Sequence, residues 1–355
     1  MKELAFFQGK KVLVTGHTGF KGAWLCQLLL MQGADVTGYA LESPTDPALF
    51  KLLHLNQKMD SRIGDIRDYE SILRTVEAKK PEIVIHLAAQ PIVRESYKHP
   101  RLTYEINVMG TVNLLEAVRN TDTVKSVVNV TTDKVYKNKE WCWGYRETEE
   151  LNGYDPYSNS KSCSELVTDS YTKAFLKEMG VAVSTARAGN VIGGGDFAKD
   201  RIIPDCIRAI QNNEKMVVRN PFSTRPYQHV LEALCAYLLI ASKQYGDIKY
   251  SGNYNIGPDE FDCWETGRVV DTFYRMWNET AGEQRTWISG QEDGPHEANM
   301  LRLDCSLFKK SFGWKPVWHM EDALKSIVDW TYEYLKSGGC AKVVEKQITQ
   351  FLSLQ

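Results

Sequence analysis

The chain has 355 residues, 43% hydrophobic and 25% charged, the proportions of an ordinary soluble globular protein, which excludes a disordered, collagen-like or low-complexity chain. At about 150 residues per domain there is room for two domains and a large core. Lys and Arg number 43 against 45 Asp and Glu, a formal net charge of −2, so no global basic excess points to nucleic acid or to an anionic membrane surface.

The opening residues MKELAFFQGK lack the long apolar core and small-residue cleavage site of a secretory signal. The longest apolar stretch, residues 233–241, is far below the ~20 residues that span a bilayer. The eight cysteines (Cys26, Cys142, Cys163, Cys206, Cys235, Cys263, Cys305, Cys340) are scattered, with no CxxC and no Cys/His cluster at zinc spacing. Reduced thiols in a cytoplasmic compartment, and no bound metal, are the expectation.

Taken in chain order, residues 11–15 (KVLVT) predict a strand, followed by a glycine-rich turn and an apolar helix over 23–32 that stops at Gly33. Residues 34–39 predict a second strand, 58–65 a weaker third and 82–87 a fourth, with Pro81 ending the helix before it. Residues 107–119 read as a helix, 126–131 as a fifth strand, 157–176 as a long helix and 181–186 as a sixth strand. Strands regularly separated by helices imply parallel pairing through right-handed crossovers. The first ~190 residues therefore predict an α/β fold, a doubly wound parallel sheet of ordinary domain size. Beyond Asn190 the alternation fades. Helices are predicted over 204–212, 229–244, 266–277 and 321–335, and a short strand at 254–256. This smaller mixed region is expected to cap the carboxyl edge of the sheet. The expected division is 1–189, with 228–260 returning to it, against 190–227 with 261–355.

The turn after the first strand reads Gly16-His17-Thr18-Gly19-Phe20-Lys21-Gly22. Glycines at this spacing permit positive φ and close backbone approach. The helix that follows presents N–H groups and partial positive charge, together a cradle for a pyrophosphate. The alternative is a βα turn with no ligand. An acid ending the second strand would hold an adenosine ribose, but Ala40 stands there and Glu42 comes two residues late. No Arg at the strand end favours a 2′-phosphate, so NAD is expected over NADP, with weaker binding. Asp65 and Ile66, after the third strand, are placed to meet an adenine, or else form a surface turn. His86 and then Leu87, Ala88 and Ala89 end the fourth strand, where small residues allow a cofactor close, or simply pack sheet against helix.

Tyr157 and Lys161 stand at i and i+4, on one helix face. A buried ammonium beside a phenol stabilises the phenolate and brings the tyrosine toward working pH as a proton acceptor. The glycine turn, the Tyr157/Lys161 pair and the chain length together resemble the extended short-chain dehydrogenase/reductase family, over essentially the whole chain. The resemblance implies a Rossmann-type NAD-binding domain and a small C-terminal nucleotide-sugar domain. It implies Tyr157 as catalytic base, and a homodimer or homotetramer built on the helices at 107–119 and 157–176.

Within that family the segment Thr131-Thr132-Asp133-Lys134, which ends the fifth strand, faces the nicotinamide. Epimerases of the family carry small hydroxyl residues there, whereas 4,6-dehydratases carry an acid–base pair, commonly Thr-Asp-Glu. Lys134 in place of Glu, with this particular glycine turn, resembles the dehydratase branch that acts on CDP-glucose in deoxysugar (lipopolysaccharide) biosynthesis. That implies a CDP-glucose substrate, Thr132 at the sugar C4 oxygen, Asp133 as acid toward the C6 hydroxyl and Lys134 as base toward the C5 hydrogen. The plainer alternative has Asp133 capping a turn and Lys134 solvated. Asn190, Arg201 and Arg225 resemble the family's diphosphate contacts, a planar guanidinium suiting a diphosphate, while His296 and Glu297 are left without a role. Two competing functions stand: a 4-epimerase, which needs no acid–base pair at 133–134, and a non-catalytic NAD sensor, which need not keep Tyr157 with Lys161.

Overall fold

Short β-branched runs separated by apolar helices assemble into one parallel sheet. The computed structural model describes residues 2–290 and 300–355; His296 and Glu297 lie outside the described residues. The strands of the main sheet are β1 (Lys11–Thr15), β2 (Asp35–Ala40), β3 (Asp60–Ile63), β4 (Ile83–His86), β5 (Ser126–Val130), β6 (Ala182–Ala188) and β7 (Asn253–Ile256). Their spatial order is β7-β6-β5-β4-β1-β2-β3, and every neighbouring pair is parallel. A parallel sheet is covered on both faces, which is why IVIH in β4 and SVVNV in β5 are buried at every position.

The longer helices are α1 (Phe20–Met31), α2 (Tyr69–Lys79), α3 (Gly110–Arg119), α4 (Pro156–Tyr171), α5 (Ile202–Gln211), α6 (Val230–Gly246), α7 (Thr266–Ala281), α8 (Met320–Ser337) and α9 (Ala341–Ser353). Alternate strand residues sort into two cores. Val12, Val14, Ile83, Ile85, Val128 and Val130 pack under α1 and α6. Leu13, Val84 and Val127 pack under α2, α3 and α4. This is the doubly wound Rossmann arrangement expected from the sequence. Strand order reverses between β1 and β4, so the loops after those two strands open a crevice at the carboxyl edge, where such folds bind ligands.

A second hydrophobic cluster joins α5, α7 and α8 through Ile203, Ile207, Val270, Phe273, Leu324 and Ile327. It stands over that edge and closes the crevice from above. The sequence reading differs from the structure at several ends. Helix α1 starts at Phe20 because Gly19 is its N-cap. The helix expected at 107–119 begins as a π turn, Glu105–Met109, and the one at 157–176 ends as one, Thr172–Leu176. Helix α9 was not foreseen. Its Val344, Ile348 and Phe351, spaced i, i+4 and i+7, return to the core under α1 and α6. All eight cysteines are free. Among the described residues no helix is long and apolar enough to cross a membrane, and no group of three or more His, Cys, Asp or Glu could hold a metal.

Candidate active site

The three glycines of the turn do different work. Gly16 has φ +74°, and a Cβ there would lie 2.8 Å from the backbone of Leu87 and Ala88. It lets the ends of β1 and β4 close on one another. A Cβ on Gly22 would lie 2.2 Å from the Gly16 carbonyl oxygen, so this glycine lets α1 sit against the turn. Gly19 is unlike both. Its backbone is extended (φ −78°, ψ 173°) and an added Cβ would meet only the Gly16 oxygen, at 3.5 Å. Nothing in the chain forbids a side chain at 19. Its absence leaves a hollow in front of the orphan N–H groups of the first turn of α1, a fit for a pyrophosphate.

The side chains of the turn face inward. His17 is fully buried, its Nε2 within 2.7 Å of Ser61 Oγ and its ring edge-on to Phe50. Burial pushes its pKa down to about 4. Thr18 donates to the Leu41 carbonyl at 2.8 Å. Both side chains hold the turn from behind, which leaves the backbone of residues 17 and 18 as their means of meeting a cofactor. Ile66 is likewise a core residue, packed against the site where Gly110 has no side chain. Asp65 stands at the mouth of a small hollow with Arg67, Asp68, Glu105 and Met109. Its carboxylate accepts from Arg67 Nη2 at 2.6 Å, and the guanidinium holds it below the usual carboxylate range. Leu87, Ala88 and Ala89 stand half-buried beyond β4, the Ala88 N–H bonded to Thr15 Oγ1 at 3.2 Å. Ala40 ends β2 with no acid beside it, and Glu42 is exposed.

At the end of β5 the chain turns so that Thr132, Asp133 and Lys134 leave the sheet together. Thr132 Oγ1 donates to Asp133 Oδ1 at 2.9 Å and accepts from the Lys134 N–H at 3.4 Å. Asp133 is 1% exposed, and its Oδ2 has no hydrogen-bond partner. Burial raises its pKa, against the charges of Lys134 and Arg225 and the Thr132 hydrogen bond. Burial pushes Tyr157 up to about 12, opposed by the Thr132 hydroxyl and by the Arg201 guanidinium. Lys161 donates to the Val130 carbonyl at 3.1 Å, and burial lowers its amine to about 8. The Lys161 amine is anchored on the strand, and the groups that lower the Tyr157 pKa are the Thr132 hydroxyl and the Arg201 guanidinium.

Thr131 lines the cavity, but its hydroxyl turns away from it. Its hydroxyl donates inward to Glu165 rather than to the cofactor side. Glu165, on α4, pairs with Arg187 of β6 at 2.8 Å, both side chains 1% exposed. Arg187 in turn donates to the Tyr136 hydroxyl at 2.9 Å. Sequence reasoning missed this pair; the arginine inside the otherwise uncharged strand VSTARA was its one signal.

These elements enclose a cavity of about 700 Å³ between the carboxyl edge of the sheet and the second cluster. Phe20, Lys21, Thr131, Thr132, Lys134, Tyr157, Asn190, Arg201 and Arg225, all singled out from sequence, line it. Among its described lining residues, Lys21, Arg94, Lys134, Arg201, Arg208, Lys215, Arg219 and Arg225 outnumber Asp196, Asp200, Asp205 and Glu214. In a chain of net charge −2, that local excess suits an anionic ligand. Arg201 is held by Asp196 at 2.9 Å and the buried Arg225 lies on a short strand pairing with Trp264. Lys215 and Arg219, which sequence reading passed over, belong to the same wall.

A family model described as GDP-mannose 4,6 dehydratase matches residues 13–327, which include every motif described above. The chain belongs to this family. The CDP-glucose 4,6-dehydratase of Salmonella typhimurium (strain LT2) is 47% identical over 354 residues, 98% of each chain. The dTDP-D-glucose 4,6-dehydratase of Mus musculus is 28% identical over 351 residues, 96% of this chain and 93% of that one. Among solved structures, dTDP-glucose 4,6-dehydratase from Bacillus anthracis in complex with NAD superposes with a TM-score of 0.76 at 21% identity, covering 95% of this chain and all of that one (100%). UDP-glucose 4-epimerase from Thermotoga maritima with UDP-glucose gives 0.78 at 22% identity, covering 91% and 99%. At such identities the structures establish the shared fold, in line with the motif resemblance to the extended short-chain dehydrogenase/reductases.

Proposed function

We propose that this member of the family is an NAD-dependent CDP-glucose 4,6-dehydratase, converting CDP-D-glucose to CDP-4-keto-6-deoxy-D-glucose and water. The observation that carries the reading is the buried Asp133, one carboxylate oxygen unpartnered, held by Thr132, which with Lys134 and Tyr157 lines a cation-rich cavity. A 4-epimerase has no use for that acid–base pair. The 47% identity to a CDP-glucose 4,6-dehydratase along 98% of both chains supports the nucleotide.

The residues present fit NAD, the hollow at Gly19 taking the pyrophosphate and the Asp65 end of the crevice the adenosine. When bound, NAD supplies a hydride acceptor that takes hydrogen from sugar carbon 4 and returns it at carbon 6. Tyr157 accepts the C4 hydroxyl proton while Thr132 holds the C4 oxygen. Lys161, fixed on the Val130 carbonyl, keeps positive charge beneath them. The new C4 ketone acidifies the C5 hydrogen, and Lys134 removes it as a proton and gives it back to C5 as the hydride returns to C6. Asp133, whose burial favours the protonated form, gives its proton to the C6 hydroxyl, and water departs. Asn190, Arg201 and Arg225 hold the diphosphate.

The division of the chain into 1–189 with 228–260 and 190–227 with 261–355 is supported by β7 lying in the main sheet and by the separate cluster around α7. Helix α9, packing on the first core, belongs with the sheet. A homodimer, or a tetramer made of two, is supported by Leu102, Met109, Leu166 and Phe175, large apolar side chains exposed on or beside α3 and α4. Eight free thiols support a cytoplasmic protein. The test is incubation with the CDP, dTDP, UDP and GDP forms of glucose, scored by mass for loss of one water. Dehydration of CDP-glucose is expected; dehydration of another nucleotide sugar in its place overturns the substrate. C4 inversion without water loss indicates an epimerase, and NAD binding without turnover a sensor.

A further inference from the structure

Helix α4 reads PYSNSKSCSELVTDSY, and Lys161 and Glu165 stand on it at i and i+4, both buried. They grip successive residues of one strand end. Lys161 donates to the Val130 carbonyl at 3.1 Å, and one Glu165 oxygen accepts from the Thr131 hydroxyl. The other Glu165 oxygen accepts from Thr185 at 2.7 Å and from Arg187 at 2.8 Å, both on β6. Arg187 also donates to the Tyr136 hydroxyl at 2.9 Å, so one network holds residues 131 and 136, on either side of 132–134. An ion pair with both side chains 1% exposed is costly to desolvate, and an apolar pair of like volume is often as stable. A charged pair in this place points to a use other than stability.

The inference rests on the dehydratase reading above, in which Lys161 keeps positive charge beneath Tyr157 and the sugar C4 oxygen. Burial works against that charge and Glu165 supports it, leaving the amine at about 8. Of the groups on neighbouring elements, Lys21 of α1 repels the amine, and His86 of β4 is kept neutral by its burial, its pKa pushed down to about 3. Tyr157 stands one turn earlier on the same helix, and Asp133 and Lys134 follow the end of β5. Arg187 meets Glu165 through the oxygen that Thr131 does not use. We propose that Glu165 is a positioning residue for the reaction, holding Lys161 as an ammonium beneath the reacting oxygens while Arg187 balances Glu165 from the β6 side. Without the carboxylate the buried amine discharges more readily, so the ammonium is lost at a lower pH.

The test reads kcat and KM for dehydration of CDP-glucose from pH 6 to pH 9, with thermal melting to verify folding. Glu165→Gln/Arg187→Met removes both charges together, because removing one partner leaves the other buried and uncompensated. Glu165→Gln/Arg187→Gln serves where the first variant does not fold. In wild type kcat is expected to fall on the alkaline side as Lys161 loses its proton, around pH 8. In the double variants this limb should move down by about one pH unit, so that kcat is about tenfold below wild type at pH 9 and within about twofold of it at pH 6, with KM unchanged. Arg187→Lys keeps both charges and should keep the wild-type limb. A folded double variant with an unmoved limb overturns the proposal. So does a fall in kcat that is equal at every pH, which makes the pair a structural brace alone. A wild type that takes no water from CDP-glucose refutes the dehydratase reading and this inference with it, whereas wild-type dehydration with either of those two results refutes the inference alone.

Discussion

Replacing Gly19 by valine separates the fold from the cofactor site. The backbone at 19 is extended, which a β-branched residue adopts readily. The nearest atom to a new Cβ is the Gly16 oxygen at 3.5 Å, an ordinary contact. The cost to stability is the poorer N-cap of α1, about 1 kcal/mol, which for a protein of this size lowers Tm by about 2 °C. The cost to binding is larger, since the valine methyls fill the hollow a phosphate would enter. Loss of two charge-assisted hydrogen bonds, each about 1.5–3 kcal/mol, weakens NAD at least about 100-fold. Gly22→Val is the control with the opposite profile, because its Cβ would stand 2.2 Å from the Gly16 oxygen. That variant should melt far lower or fail to fold. Differential scanning calorimetry and isothermal titration with NAD read the two quantities. Wild-type NAD affinity in folded Gly19→Val refutes the phosphate cradle.

Three further outcomes follow from the site and its surroundings. CDP-glucose deuterated at C4 should yield product with deuterium at C6 and no net release of NADH; deuterium washed out to solvent rules out an internal return. Lys134→Ala should still oxidise C4 but lose water at least about 100-fold more slowly, the usual scale of a general base, with solvent exchange at C5 abolished, whereas Asp133→Asn should keep the exchange and slow departure of the C6 hydroxyl; near-wild-type dehydration by Lys134→Ala removes it as the base. Glu232, on α6, accepts from the Val317 and Trp318 N–H groups at 2.7 and 2.6 Å, its other oxygen is unpartnered, and burial pushes it up to about 7 from 4.5. Its folded pKa exceeds its unfolded one, so its contribution is complete below pH 4.5 and is lost as pH rises through 7; Glu232→Gln should gain about 2 kcal/mol on wild type between pH 5 and pH 8 in urea titrations, and equal slopes with pH contradict this.

The sheet was legible because its signals are local. A run such as KVLVT needs no partner to be recognised as a strand, and Gly and Pro mark where each unit stops. The glycine turn and Tyr157/Lys161 were legible for the same reason, their spacing being fixed by one turn and one helix. What sequence spacing cannot carry is direction. Residues 17, 18, 66 and 131 sit among ligand-facing positions, yet His17 bonds Ser61, Thr18 bonds Leu41, Ile66 packs at Gly110 and Thr131 bonds Glu165. Each partner is supplied by a distant segment. Helix α9 escaped notice because its stripe is three residues long and its acceptor surface is the far side of α1 and α6.

The inward turn of Thr131 explains how the next three residues come to be usable. The strand end is pinned from behind at every flanking position. Lys161 donates to the Val130 carbonyl and Ser162 Oγ to the Val135 carbonyl at 2.7 Å, both from α4. Thr131 is tied to Glu165 of the same helix, and the Tyr136 hydroxyl donates to Asn255 of β7 at 2.6 Å. Between these fixed points Thr132 and Lys134 reach the cavity, while Asp133 stays buried beside them, held by the Thr132 hydroxyl. A site whose acid must stay protonated in a buried place gains from such a frame, because the backbone cannot relax to solvate Asp133. The helix that carries Tyr157 therefore also fixes the frame of residues 132–134, so that on the proposed roles the proton acceptor and the dehydrating pair share one rigid reference. That is the geometric condition for oxidation at C4 and elimination across C5 and C6 to proceed on one sugar without its release.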